Sequence, residues 1–148
     1  MKETLSYIQE NKQRYVDELF ELLKIASISA DPAYKDEVLK CADEVSKFLK
    51  AAGADEVEVC STKGYPIVYG EKLIDKNLPT VLFKGHYVVN QPNHLGLGTK
   101  PLLKPYMKKT DINRDGAFLP EDLAADKESF LLNFKVFKGL RKTDTMPF

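Results

Sequence analysis

Apolar residues recur at three- and four-residue steps through residues 2–25, at Ile8, Tyr15, Leu19, Leu22 and Leu23, with charged residues between them. At 3.6 residues per turn these positions share one face, so the pattern predicts one long amphipathic helix. Residues 27–32 break the pattern, and Asp31-Pro32 offers a capping carboxylate followed by a proline suited to the first helical turn. A second helix is expected to follow, with Val38, Ala42, Val45, Leu49 and Ala52 as its apolar stripe. Gly53 stands where a left-handed C-terminal cap is usual.

The period then changes from 3.6 to 2. Val57 and Val59 alternate with Glu56 and Glu58, then come Pro66-Ile67-Val68-Tyr69 and Thr80-Val81-Leu82-Phe83, which predict three strands. Three adjacent apolar residues in the last of these suit a strand covered on both faces, as in an α/β sheet. That strand runs into Lys84-Gly85-His86, and in open α/β sheets ligands bind at the carboxyl ends of strands. Pro92, Gly96, Gly98 and Pro101 mark residues 90–105 as a long loop, and Leu123, Lys127, Phe130, Phe134 and Phe137 place a final helix at about residues 123–140.

Composition narrows the class. The chain has 148 residues, 43% of them hydrophobic and 30% charged, with 22 basic and 22 acidic side chains. This is the make-up of one globular domain that can bury a core unaided, with no electrostatic footprint for nucleic acid. No apolar run approaches the roughly 20 residues of a membrane span, and the charged first residues do not read as a signal peptide, so a cytoplasmic location is expected. Cys41 and Cys60 form neither a CxxC pair nor a disulfide framework and are expected to be reduced and structural.

The segment from Val81 to Val89, with Gly85-His86-Tyr87-Val88-Val89 at its end, resembles the strand and turn of dinuclear zinc dipeptidases of the aminoacylase and carnosinase kind, in which Gly-His-Tyr-Asp-Val presents the first metal-binding histidine. The likeness extends to Ser27-Ile28-Ser29-Ala30-Asp31-Pro32, to Pro101-Leu102-Leu103-Lys104-Pro105, to Asp115-Gly116 and to Ala125-Asp126-Lys127-Glu128, which falls on the family's Asp-x-Lys-Gly metal motif. The resemblance implies an α/β fold, a single incomplete peptidase-like catalytic domain over residues 1–148 with helices packed on a small mixed or parallel sheet. It also implies zinc as cofactor, a peptide substrate and His86 as the first metal ligand.

Two positions depart from the family's pattern. Val88 stands where the family has the aspartate that orients the histidine, and Ala125 stands where it has the carboxylate bridging both metals. A one-residue slip would bring Asp126 into play as a ligand. In the family the general base and the remaining ligands follow later, so the chain alone is expected to be inactive, either a fragment of such an enzyme or a decayed relative. A sheet that stops before its remaining strands leaves unpaired edges, from which a homo-oligomer is expected.

A competing reading places calcium in the same chain. Asp111, Asn113 and Asp115 occupy positions 1, 3 and 5 of a calcium loop, Gly116 follows for the sharp turn, and Asp122 stands at position 12. Ordinary tight turns use the same letters. Pro101, Pro105 and Pro120 oppose the helix-loop-helix form.

Overall fold

A computed structural model of the chain describes residues 2–89, 106–108 and 117–119. The predicted first helix is two helices, α1 (Lys2–Glu10) and α2 (Lys12–Leu23). The break falls at Asn11, whose backbone sits at φ −100° and ψ 6° and whose Nδ2 donates to the Tyr7 carbonyl at 2.7 Å. The Asn11 backbone amide keeps its own bond to the same carbonyl at 3.2 Å, so the side chain adds a second donor at the break, and the apolar periodicity carries no sign of it. Of α1 only Thr4 is buried, whereas α2 buries Val16, Leu19, Leu22 and Leu23.

Asp31 caps as its position predicts. Its carboxylate accepts from the Ala33 amide at 2.9 Å, opening a 3-10 turn over Pro32–Tyr34 that leads into α3 (Lys35–Ala52). Helix α3 ends at Gly53, at φ 92°, where Gly53 N–H donates to the Lys50 carbonyl at 2.9 Å and Ala54 N–H to the Leu49 carbonyl at 3.1 Å. A side chain at that φ would strain the backbone, and the two bonds satisfy carbonyls that a helix end leaves open.

The strands β1 (Glu56–Cys60) and β2 (Ile67–Glu71) pair antiparallel from Glu56 opposite Glu71 to Cys60 opposite Ile67. Asp55 closes the open end: its amide donates to the Glu71 carbonyl at 2.7 Å, and its carboxylate accepts from Lys72 at 2.6 Å. At the other end the Thr62 hydroxyl donates to the Tyr65 carbonyl at 2.7 Å and accepts from the Gly64 amide at 3.0 Å. The hairpin rests on α3, and Leu19, Leu22, Leu23, Ile25, Cys41 and Val45 form the core, with Phe20, Phe48, Leu49, Val68 and Tyr87 packed against it.

A second antiparallel pair joins β3 (Tyr106–Lys108) to β4 (Ala117–Leu119). The class is α/β, as expected, but the mixed or parallel sheet is corrected: among the described residues both ladders are antiparallel, and the parallel pairing is one bridge between Ile28 and Val89. The third predicted strand is corrected as well. Residues 80–83 are irregular, and Val81, Leu82 and Phe83 are 47%, 86% and 56% exposed. Three apolar residues make a strand only beside a partner, and among the described residues none pairs with residues 80–83. No helix of the described residues is long and apolar enough to cross a membrane.

Candidate functional site

His86 does not close a buried strand. It is exposed, at the end of an irregular segment, and the turn that follows it is held at Tyr87 and Val89. The Tyr87 carbonyl accepts from the Ser27 hydroxyl at 2.9 Å and from the Cys41 thiol at 3.2 Å. Val89 N–H donates to the Ser27 carbonyl at 2.9 Å, and Ser29 N–H donates to the Val89 carbonyl at 3.1 Å. Ser27 and Cys41 are fully buried and Val89 is 2% exposed, so the turn is fixed to the connection between α2 and α3 and to α3 itself.

The Tyr87 side chain adds a third point of attachment. Its ring packs on the core, and its hydroxyl donates to the Pro66 carbonyl just before β2. Burial pushes the Tyr87 phenol above its ordinary pKa, and the neighbouring Cys41 pushes in the same direction. The two cysteines are free, as expected, and differ in setting. Cys41 is in the core, whereas Cys60 is half-buried at the end of β1, its thiol raised by partial desolvation and by the Glu58 carboxylate.

What this arrangement offers chemically is one exposed imidazole on an anchored turn. Imidazole nitrogen is a common zinc donor, so His86 fits the metal as a single ligand. The side chain of Val88, a half-buried residue two positions on, has no atom that accepts a hydrogen bond from the ring. Among the described residues no group of three or more His, Cys, Asp or Glu side chains is placed to hold a metal ion. Asp126 and Ala125 lie outside the described residues, as do the loop expected at 90–105 and the helix expected at 123–140.

The calcium-loop residues Asp111, Asn113, Asp115 and Asp122 also lie outside the described residues. The segment that holds the first three connects β3 to β4, which pair with each other, with Tyr106 opposite Leu119 and Lys108 opposite Ala117. Phe118, position 8 of the proposed calcium loop, falls in β4.

Sequence reading picked out His86 but missed Ser27, Cys41 and Tyr87 as the residues that fix its turn. One signal was present: Ser27 is a lone hydroxyl after Ile25-Ala26 and before Ile28, a stretch otherwise apolar. Its partner, 60 residues on, leaves no local trace.

Helices on a small antiparallel sheet, with the chain after the sheet tied back to the connection between α2 and α3, make an α/β domain. In fold the chain is similar to the dipeptidase Dug1p from Saccharomyces cerevisiae, solved in a study of how that enzyme recognises substrate, with a TM-score of 0.82 at 19% sequence identity. The likeness covers 98% of this chain and 32% of Dug1p, so the chain spans about a third of that protein's length. No protein-family model matches the chain, and no curated protein matches it.

Proposed function

We propose that the chain is a dipeptidase-type hydrolase domain that keeps one metal ligand, His86, and does not by itself hydrolyse dipeptides. The observation that carries this reading is the fold likeness to a dipeptidase over 98% of the chain, together with the presentation of an exposed histidine by an anchored turn. Zinc, when bound in such a site, supplies a Lewis acid and a water whose pKa falls to about 7. The chain's own part is to present the His86 imidazole, with Asp126 as the candidate second ligand.

Catalysis needs about three protein ligands and an open position. Here Val88 and Ala125 occupy the positions where the family resemblance expects carboxylates. One of these would orient the imidazole and the other would bridge two metals. With neither, the expected stoichiometry is at most one zinc per chain. Metal analysis of the dialysed protein, beside His86→Ala and Asp126→Asn, tests this. One equivalent or less, abolished by His86→Ala, supports the reading, whereas two equivalents or a zinc indifferent to His86→Ala overturns it. Zinc-dependent turnover of a dipeptide panel that disappears in His86→Ala would overturn the non-catalytic part alone.

A further inference from the structure

We infer that Ser27 and Cys41 are positioning residues for His86, an inference that rests on the reading of His86 as a metal ligand. Both side chains are fully buried, and both aim their donors at one atom, the Tyr87 carbonyl oxygen, at 2.9 Å and 3.2 Å. A carbonyl oxygen has two lone pairs, and two donors from different elements use both. A buried hydroxyl is costly unless bonded, and an alanine at position 27 would avoid that cost without disturbing the backbone bonds made there. What the hydroxyl adds is a fixed orientation of the peptide that follows Tyr87.

The Tyr87 hydroxyl, bonded to Pro66, fixes the residue from its other end. Between the Cα of Tyr87 and that of His86 lies a single planar peptide about 3.8 Å long, with no soft torsion inside it. The imidazole therefore inherits its place from Tyr87 through two backbone torsions and its own side-chain torsions. Remove the two donors and the nearest backbone tie after His86 is the bridge at Val89, two residues further from the ring. The turn stays attached through the Tyr87 side chain and Val89, but the peptide after Tyr87 loses its fixed orientation and the histidine gains freedom to swing.

The test reads order and metal affinity separately, on the whole chain. In metal-free protein the backbone order parameter of His86 should be near 0.85 in the parent and below about 0.6 when Ser27→Ala and Cys41→Ala are combined, and the Tyr87 carbonyl ¹³C resonance should shift. Cys41→Ser, which keeps a donor on the same stem, should restore both. Chelator competition should show zinc bound about tenfold more weakly by the double variant than by the parent. Unchanged His86 order in the double variant, or equal zinc affinity in variant and parent, overturns the inference. If His86 loses order in the variant while the parent binds no zinc, the anchoring stands and the metal reading falls. Should the double variant fail to fold, Ser27→Ala alone is read by the same criteria, with a zinc affinity about threefold weaker and a Tyr87 resonance shift as the expected results.

Discussion

Gly70→Ala probes how closely the hairpin lies on α3. A Cβ at Gly70 would stand 3.1 Å from both methyl carbons of Leu49 and 3.4 Å from its Cγ. That is closer than ordinary van der Waals contact by a few tenths of an ångström, and overpacking of this kind typically costs about 1–3 kcal/mol. Leu49 is only half-buried and can yield, which keeps the cost in the lower half of that range, at about 1.5 kcal/mol. Against it, replacing glycine within a strand gains roughly 0.5–1 kcal/mol by restricting the unfolded chain. The difference leaves Gly70→Ala less stable than the parent by about 0.5–1 kcal/mol.

The same substitution in a Leu49→Ala background meets no methyl groups, so there it should stabilise by about 0.5–1 kcal/mol. The coupling between the two positions is then about 1–2 kcal/mol, readable in a double-mutant cycle by urea denaturation followed by far-ultraviolet circular dichroism. If Gly70→Ala stabilises the parent, or the coupling is below about 0.5 kcal/mol, then Leu49 does not hold the hairpin in the way described.

Removing the cap carboxylate with Asp31→Ala should cost about 1 kcal/mol in the same urea assay, and Asp31→Asn, which keeps an acceptor for the Ala33 amide, should recover most of it. Two phenols set an alkaline limit. Tyr87 is raised by burial first and Tyr15 by burial first with the neighbouring Tyr7 next, so the folded state holds both protons more tightly than the unfolded chain does. Their contribution is complete below the unfolded value near pH 10 and is lost as pH rises through the raised folded values. Stability measured from pH 7 to 11 should thus be level with respect to these groups until about pH 10 and then fall, with a shallower fall in Tyr87→Phe; an equal slope in that variant would remove Tyr87 from the account.

The elements legible in the sequence are those whose causes are local. Helix α3 announces itself by its stripe, by Asp31-Pro32 before it and by Gly53 after it, and all three behave as their chemistry requires. The alternation around Val57 and Val59 marks β1, and Ile67 to Tyr69 marks most of β2. Residues 80–83 carry as strong an apolar signal as either strand, yet pairing depends on what lies alongside, and a period along the chain does not contain that information. The break at Asn11 was hidden for a different reason, since a departure of one residue's backbone torsions leaves the hydrophobic spacing undisturbed. At the site, His86 was visible as a residue type after an apolar run and a glycine. The means of holding it was not, because Cys41 looked like one more core position and Tyr87 lies 46 residues from it.

The tie between Ser27 and Tyr87 also orders events in time. Closing a loop across 60 residues of disordered chain costs about 3.6 kcal/mol in entropy beyond a constant, whereas closing only residues 72–86, once α2, α3 and the hairpin are in place, costs about 2.4 kcal/mol. The shorter route favours docking of the histidine turn onto a folded core, late and after the transition state for that core. Ser27→Ala should then leave the refolding rate nearly unchanged and show itself as faster unfolding, because a contact made after the barrier weighs only on the way back. Slower refolding would place the contact in the nucleus instead. On the expected order, the imidazole reaches its station as the last part of the core domain to assemble and, by the same path reversed, the first to leave it.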